Sequence, residues 1–299
     1  MNNLPNFLVV GASKSGTSSL YHYLNQHPNI FLSKIQKEGR YFSQMKGGYR
    51  GPGDERIDDS IHRTLEDYSK LFAAVKAEKA IGDISPEMLY FYEKGIPKIK
   101  AELGEKVKII IILRSPIERA FSAYLHFKRD KREERTFEEG LQLEEERLKN
   151  DWIWAWQYKN SGLYYKQVKS YIDNFKEVKV ILFDDFKNNP DTVLAEIAEF
   201  LEVESEFKFD TSYKYNVSGA PKNQLIYELE NSRKLIVFLK RFVPQSLVKF
   251  VRNRFTGEKQ MVKPEMDKNT KAALIDFFRA DILKLQQLIG KDLSHWLDG

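Results

Sequence analysis

The sequence contains no cysteine. Disulfide bonds and thiol catalysis are therefore excluded, and a reducing compartment suits the chain. Long apolar runs are missing too. The longest, residues 109–113, is far short of the ~20 residues a membrane-spanning helix needs. The first apolar stretch begins at Phe7, which leaves no room for a signal peptide, so a soluble, cytoplasmic protein is expected. Charge of one sign is not in large excess. A net charge of +5 and a pI near 9.0 suit an anionic ligand, but the charge is too dispersed to argue for nucleic acid. Repeats and clear linkers are absent, and 299 residues with 42% hydrophobic content fit one large domain.

What is present is organised around residues 7–24, FLVVGASKSGTSSLYHYL. Residues 7–10 read as a buried parallel strand ending at Gly11. Leu20, Tyr21 and Leu24 fall at helical spacing, which predicts a helix from Thr17 or Ser18. The intervening small residues let the backbone curl. Its N–H groups, the helix N-terminus and Lys14 would then surround an anion; otherwise the segment is a plain turn. The motif is not that of the nucleoside triphosphatases, which place Lys directly after the second glycine and then a Mg²⁺-holding Ser or Thr. Here Thr17 takes the Lys position.

Further along, residues 30–32 and 80–84 read as strands. Residues 46–61, with glycines, a proline and alternating charges, read as a flexible surface loop near the site. Residues 64–75, 96–103, 117–128, 137–150, 164–175, 190–201 and 270–289 have helical patterning, the last capped by Gly290. Residues 107–113, VKIIIIL, are the clearest strand: continuous, β-branched, and hence central. Residues 178–183 predict another. This alternation predicts an α/β fold, a doubly wound parallel sheet with helices on both faces. Trp152, Trp154 and Trp156 recur at period two, which puts them on one face if the segment is extended. Residues 235–255 are apolar with interspersed Lys and Arg, either a solvated helix face or a surface that docks on anionic lipid.

The central strand ends in Arg114, where a P-loop hydrolase commonly has a metal-holding Asp. A guanidinium at the carboxyl edge of a parallel sheet suits phosphate oxygens. Ser122, eight residues on, would lie on the second turn of the next helix, facing the same anion. Singly, Arg114 is equally a surface ion pair and Ser122 a packing residue. Together with the Lys14 loop they point to a phosphate-rich, metal-independent cofactor.

These residues resemble a family. GASKSGTSSL followed by ILRSPIERAFSAYLHF is similar to the 5′-phosphosulfate and 3′-phosphate motifs of sulfotransferases that use 3′-phosphoadenosine 5′-phosphosulfate (PAPS). The heparan-sulfate branch and its bacterial relatives are the nearest in pattern. KEGRYF, DISPEMLY, GLYYKQVKSYIDNF, VILFDDFKNNP and LIGKDLSHW also look like that family, in its order. The resemblance implies a P-loop-like fold over 1–299, with cofactor motifs at 7–24 and 107–124 and a helical C-terminal part at 222–299. It places Lys14, Ser15, Gly16, Thr17 and Ser18 at the 5′ end of PAPS, and Arg114 and Ser122 at the 3′-phosphate. It likens residues 218–222, with Gly219 and Lys222, to a cofactor-capping loop. Glu38 matches the general base, and Lys14 would stabilise the leaving oxygen. Burial is expected to raise the Glu38 pKa towards neutrality. His126, four residues beyond Ser122, is the alternative base. Arg40, Asp83, Trp154 and Trp156 are expected to meet a small-molecule or saccharide acceptor. Two other functions stay open: a P-loop kinase-like phosphotransferase, and a non-catalytic nucleotide-binding or membrane-docking protein.

Overall fold

Five apolar stretches pair into one parallel sheet in the order β2-β3-β1-β4-β5: β1 Phe7–Gly11, β2 Ile30–Leu32, β3 Ala80–Ile84, β4 Lys108–Leu113 and β5 Val178–Leu182. The computed structural model describes residues 3–212, 220–221, 261–262 and 264–298. Gly219, Lys222 and the basic stretch 235–255 lie outside the described residues.

The strands read as continuous apolar runs because both faces of the sheet are covered. Side chains alternate faces along β1 and β4. Leu8, Val10, Ile109 and Ile111 join one core cluster, while Phe7, Val9, Ile110 and Ile112 join the other. The second cluster is closed by α1 (Thr17–Leu24), through Leu20 and Leu24, and by the helix Pro190–Phe200, through Leu194 and Ile197. The first is closed by α2 (Tyr92–Leu103), α3 (Pro116–Arg129), α4 (Tyr164–Asn174) and the long C-terminal helix Lys268–Ile289.

The topology sets where a ligand goes. Strand β1 sits between β3 and β4. The chain leaves β1 through α1 towards β2, and leaves β4 through α3 towards β5, on opposite sides. A crevice opens where connections diverge in this way, beyond the carboxyl ends of the strands. Residues 11–17 and 113–116 meet there.

Three sequence expectations change. The stretch 137–150 is not one helix but two, Phe137–Gln142 and Glu144–Lys149, and 64–75 shortens to Leu65–Ser69 with a 3₁₀ turn. The tryptophan segment is not extended: Trp154–Trp156 is a 3₁₀ turn, so period two does not align its rings. Residues 46–61 are anchored through Asp54. Asp54 within them is fully buried and accepts from the Ile153 N–H at 2.9 Å and the Trp156 indole N–H at 3.1 Å, and it pairs with Arg132.

Candidate active site

The loop after β1 is shaped by its backbone. The Ala12 N–H donates to the Ile112 carbonyl at 2.7 Å, fixing the loop to β4. Gly16 then adopts φ 90°, and a Cβ there would sit 2.9 Å from the Phe183 ring, so both conformation and space require glycine. Helix α1 begins directly after it, with no side-chain cap and no acidic residue in its first turn. Its N-terminal N–H groups and positive dipole end are left for an anion.

Positive charge is crowded against this loop. Lys14 is half-buried, and its pKa falls to about 7, first because of desolvation and then because of Arg129, Arg114 and Lys37, partly opposed by Asp130. Arg114 donates to the Lys14 carbonyl at 3.4 Å, pairs with Glu118 at 3.2 Å and lies over the Phe183 ring at 5.1 Å. Cations crowded around one lysine in this way form a pocket suited to a polyanion. His126 also faces the cavity, but burial and the charges of Lys14, Arg129 and Arg132 push its pKa to about 2. Its ring stays neutral and accepts from Arg129 through Nδ1 at 2.6 Å. A ring with so little proton affinity is a poor general base.

The other wall comes from the loop after β2 and the turn after β3. Glu38 pairs with Arg40, and Lys37 lies 3.4 Å from the same carboxylate. Burial acts to raise the Glu38 pKa, but the charges and hydrogen bonds of Arg40 and Lys37 outweigh it and hold the carboxyl below its ordinary value. The sequence expectation of a raised pKa is therefore corrected: Glu38 is ionised at neutral pH. Lys37 also donates to the Ser18 hydroxyl at 2.9 Å. Gly39 lets this loop press against β3: a Cβ there would meet Tyr68 at 2.5 Å and the Asp83 carboxyl at 2.7 Å.

The cavity between these walls has a volume of about 540 Å³. Lys14, Gly16, Thr17, Ser18 and Arg114 line it, as do Glu38, Arg40, His126 and Trp154. Four expected site residues stand elsewhere. Ser15 and Ser122 are buried behind the lining. Asp83 is buried beneath it, accepting from the Gly39 N–H at 3.1 Å and from the Tyr68 and Ser85 hydroxyls at 2.9 Å. It positions the Glu38 loop rather than facing the cavity. Trp156 is a core residue, its ring 3.9 Å from that of Phe127 and nearly parallel at 5°. Sequence reasoning missed Lys37, Glu87, Arg119 and Arg132, all of which line the cavity. Glu87 belongs to the DISPEMLY stretch, and only its position at the end of β3 could have drawn attention to it.

The sulfotransferase-domain family model matches residues 4–288. Mouse bifunctional heparan sulfate N-deacetylase/N-sulfotransferase 3 is 23% identical over 315 residues, covering 99% of this chain and 31% of that protein. Mouse carbohydrate sulfotransferase 15 is 24% identical over 247 residues, covering 67% of this chain and 44% of that protein. The chain thus spans about a third of the length of the first of these relatives. The crystal structure of a sulfotransferase from Alicyclobacillus acidocaldarius is 34% identical, with a TM-score of 0.79 over 99% of this chain and 100% of that one. No described helix is long and apolar enough to cross a membrane. With its parallel sheet, its anion loop after β1 and a family match from residue 4 to 288, the chain belongs to the sulfotransferase family.

Proposed function

We propose that the chain transfers a sulfuryl group from PAPS to a hydroxyl or amine of a small-molecule or saccharide acceptor, without a metal ion, as a single domain in the cytoplasm. The observation that carries this reading is the cavity's division into two walls. Lys14, Arg114 and the uncapped start of α1 form a cationic wall, and the ionised Glu38 stands on the other.

PAPS supplies an activated sulfuryl group, joined through oxygen to its 5′-phosphate. The residues fit it: the N–H groups at the start of α1 and the Lys14 ammonium suit the 5′ end, and the Arg114 fork suits the 3′-phosphate. Glu38 accepts the proton of the acceptor as the new S–O bond, or S–N bond for an amine, forms. Lys14 stabilises the negative charge that gathers on the phosphate oxygen as the old S–O bond breaks, an interaction commonly worth about 3–4 kcal/mol. Lys37 links the Glu38 loop to α1 through Ser18, so one side chain ties the base to the anion loop. Arg114 at the end of β4 supports a metal-independent route, since a metal-using P-loop enzyme commonly has a carboxylate there.

The deciding experiment is an assay with labelled PAPS against small glycosides, amines and heparosan, with and without EDTA. Transfer that survives chelation supports the reading. Magnesium-dependent turnover of ATP, with none of PAPS, would restore the kinase alternative. Binding of the desulfated product PAP without transfer to any acceptor would favour the non-catalytic one.

A further inference from the structure

Glu87 sits in the 3₁₀ turn Pro86–Leu89, at the carboxyl end of β3, where the chain reaches the cavity. It is 2% exposed, and its Oε1 is buried with no hydrogen-bond partner in the protein. A buried polar atom left unpaired is costly, so native structures rarely leave one without a role. This one lines the cavity, close enough to Glu38 and Arg40 to feel both charges. Trp154 lines the cavity too, its ring stacked on Tyr90 at 5.6 Å. The opposite wall is cationic. A carboxyl and an indole are thus left on the side away from the anion loop, and neither is needed for the donor.

We propose that Glu87 selects the acceptor: its carboxyl hydrogen-bonds one hydroxyl of an uncharged, polyhydroxylated acceptor, while Glu38 takes the proton of another. This rests on the sulfotransferase reading above.

The electrostatics favour an uncharged partner. Burial, then the charge of Glu38, push the Glu87 pKa to about 8, against the pull of Arg40; Asp83 adds a further upward push. Near pH 7 Glu87 therefore holds a proton, which it can donate to a hydroxyl oxygen while its other oxygen accepts. An anionic acceptor would have to compete with the Glu38 carboxylate for its paired cations, Arg40 and Lys37. A cationic one would have to approach Arg40.

Two substitutions separate these possibilities. Gln keeps the shape and the paired donor and acceptor of a protonated carboxyl, so Glu87→Gln should keep kcat/KM for an alkyl glucoside within ~3-fold. Glu87→Leu should lose at least ~10-fold, mainly through KM, with PAP affinity unchanged in both variants. A Gln variant as damaged as the Leu variant would overturn the proposal, as would wild-type preference for a polyamine or for heparosan over the glucoside. A reading without turnover comes from infrared difference spectroscopy of the PAP complex at pH 7, on adding glucose at high concentration. The expected result is a protonated-carboxyl band that shifts with sugar and is missing in Glu87→Gln. No band, or a band that ignores sugar, sinks the idea. Failure of the sulfotransferase reading looks different: wild type neither binds PAP nor transfers from PAPS.

Discussion

The Lys37 ammonium donates to the Ser18 hydroxyl at 2.9 Å, and this bond ties the loop that carries Glu38 to the first turn of α1. Lys37 is also 3.4 Å from the Glu38 carboxylate, so one side chain spans both walls of the cavity. Lys37→Met should raise the KM for PAPS by ~10-fold, the scale of one hydrogen bond to a charged group at about 1.5 kcal/mol. It should also move the acid limb of the rate profile upward, because Glu38 loses one of the cations that lower its pKa. An unmoved acid limb would assign Lys37 a purely structural role.

Lys14 makes cofactor binding pH-dependent. Its pKa of about 7 in the free protein must rise when a phosphate replaces solvent beside it. Affinity is then full below pH 7 and falls as pH climbs through that value, by up to ~10-fold per unit while the bound pKa lies higher. Phosphate monoesters are already largely dianionic above about pH 6, so the ligand's own titration does not mask this. Calorimetry of PAP at pH 7.5 in buffers of different ionisation enthalpy should show proton uptake. Lys14→Ala should abolish the uptake and weaken binding. Uptake that persists in the variant would move the titrating group elsewhere.

Arg114 is expected to distinguish ligands with a 3′-phosphate from those without. Its side chain is 11% exposed, and it already pairs with Glu118 and the Lys14 carbonyl, so it is aimed before a ligand arrives. Arg114→Ala should cost ~2–3 kcal/mol of PAP affinity, as for a lost charge-assisted contact, and leave adenosine 5′-phosphosulfate nearly unaffected. Equal losses for both ligands would remove the assigned role.

How much of this was legible in sequence depends on range. Residues 7–24 and 108–124 carry their own structure: apolar runs for strands, small residues for a curled loop, helical spacing after it. The sheet and the anion loop follow from such local patterns. The balance of charge around Glu38 does not, because Arg40 and Lys37 lower its pKa only once the Gly39 contact with Asp83 folds the loop back. Nor could period two reveal that Trp156 turns inward. That depends on Asp54, over a hundred positions away in the chain, accepting its indole N–H. Glu87 carries no sequence mark of its own. Its interest comes from burial and an unpaired oxygen, which only packing creates.

The tryptophans separate stability from binding. Trp156 is fully buried, stacked on Phe127 and capped by Arg147 at 4.8 Å, so Trp156→Ala should lower unfolding stability by about 3–5 kcal/mol. Trp154 lines the cavity, and Trp154→Ala should raise the acceptor KM with a smaller stability loss. Denaturant melts run beside acceptor titrations would read both. Equal destabilisation with no change in KM for Trp154→Ala would return it to the core.

The base is the most decisive test. Glu38 and His126 both face the cavity, yet their environments drive them apart. Glu38 is held ionised by Arg40 and Lys37 against burial, and is ready to take a proton at neutral pH. His126, at a pKa of about 2, is neutral but has too little affinity for the proton to hold it. Glu38→Gln should therefore lower kcat by ~10²-fold or more and leave PAP binding almost unchanged, as removal of a general base does. His126→Asn should keep kcat within a few-fold and change PAP affinity only modestly, since the Asn amide oxygen can still accept from the Arg129 guanidinium. The sign of the pH dependence follows from the lowered Glu38 pKa. Activity should hold as pH falls to about 5 and be lost only below the ordinary glutamate value of about 4.3, as Glu38 becomes protonated. A rate that already halves near pH 6.5, and that falls ~10²-fold in His126→Asn, would transfer the role to the histidine.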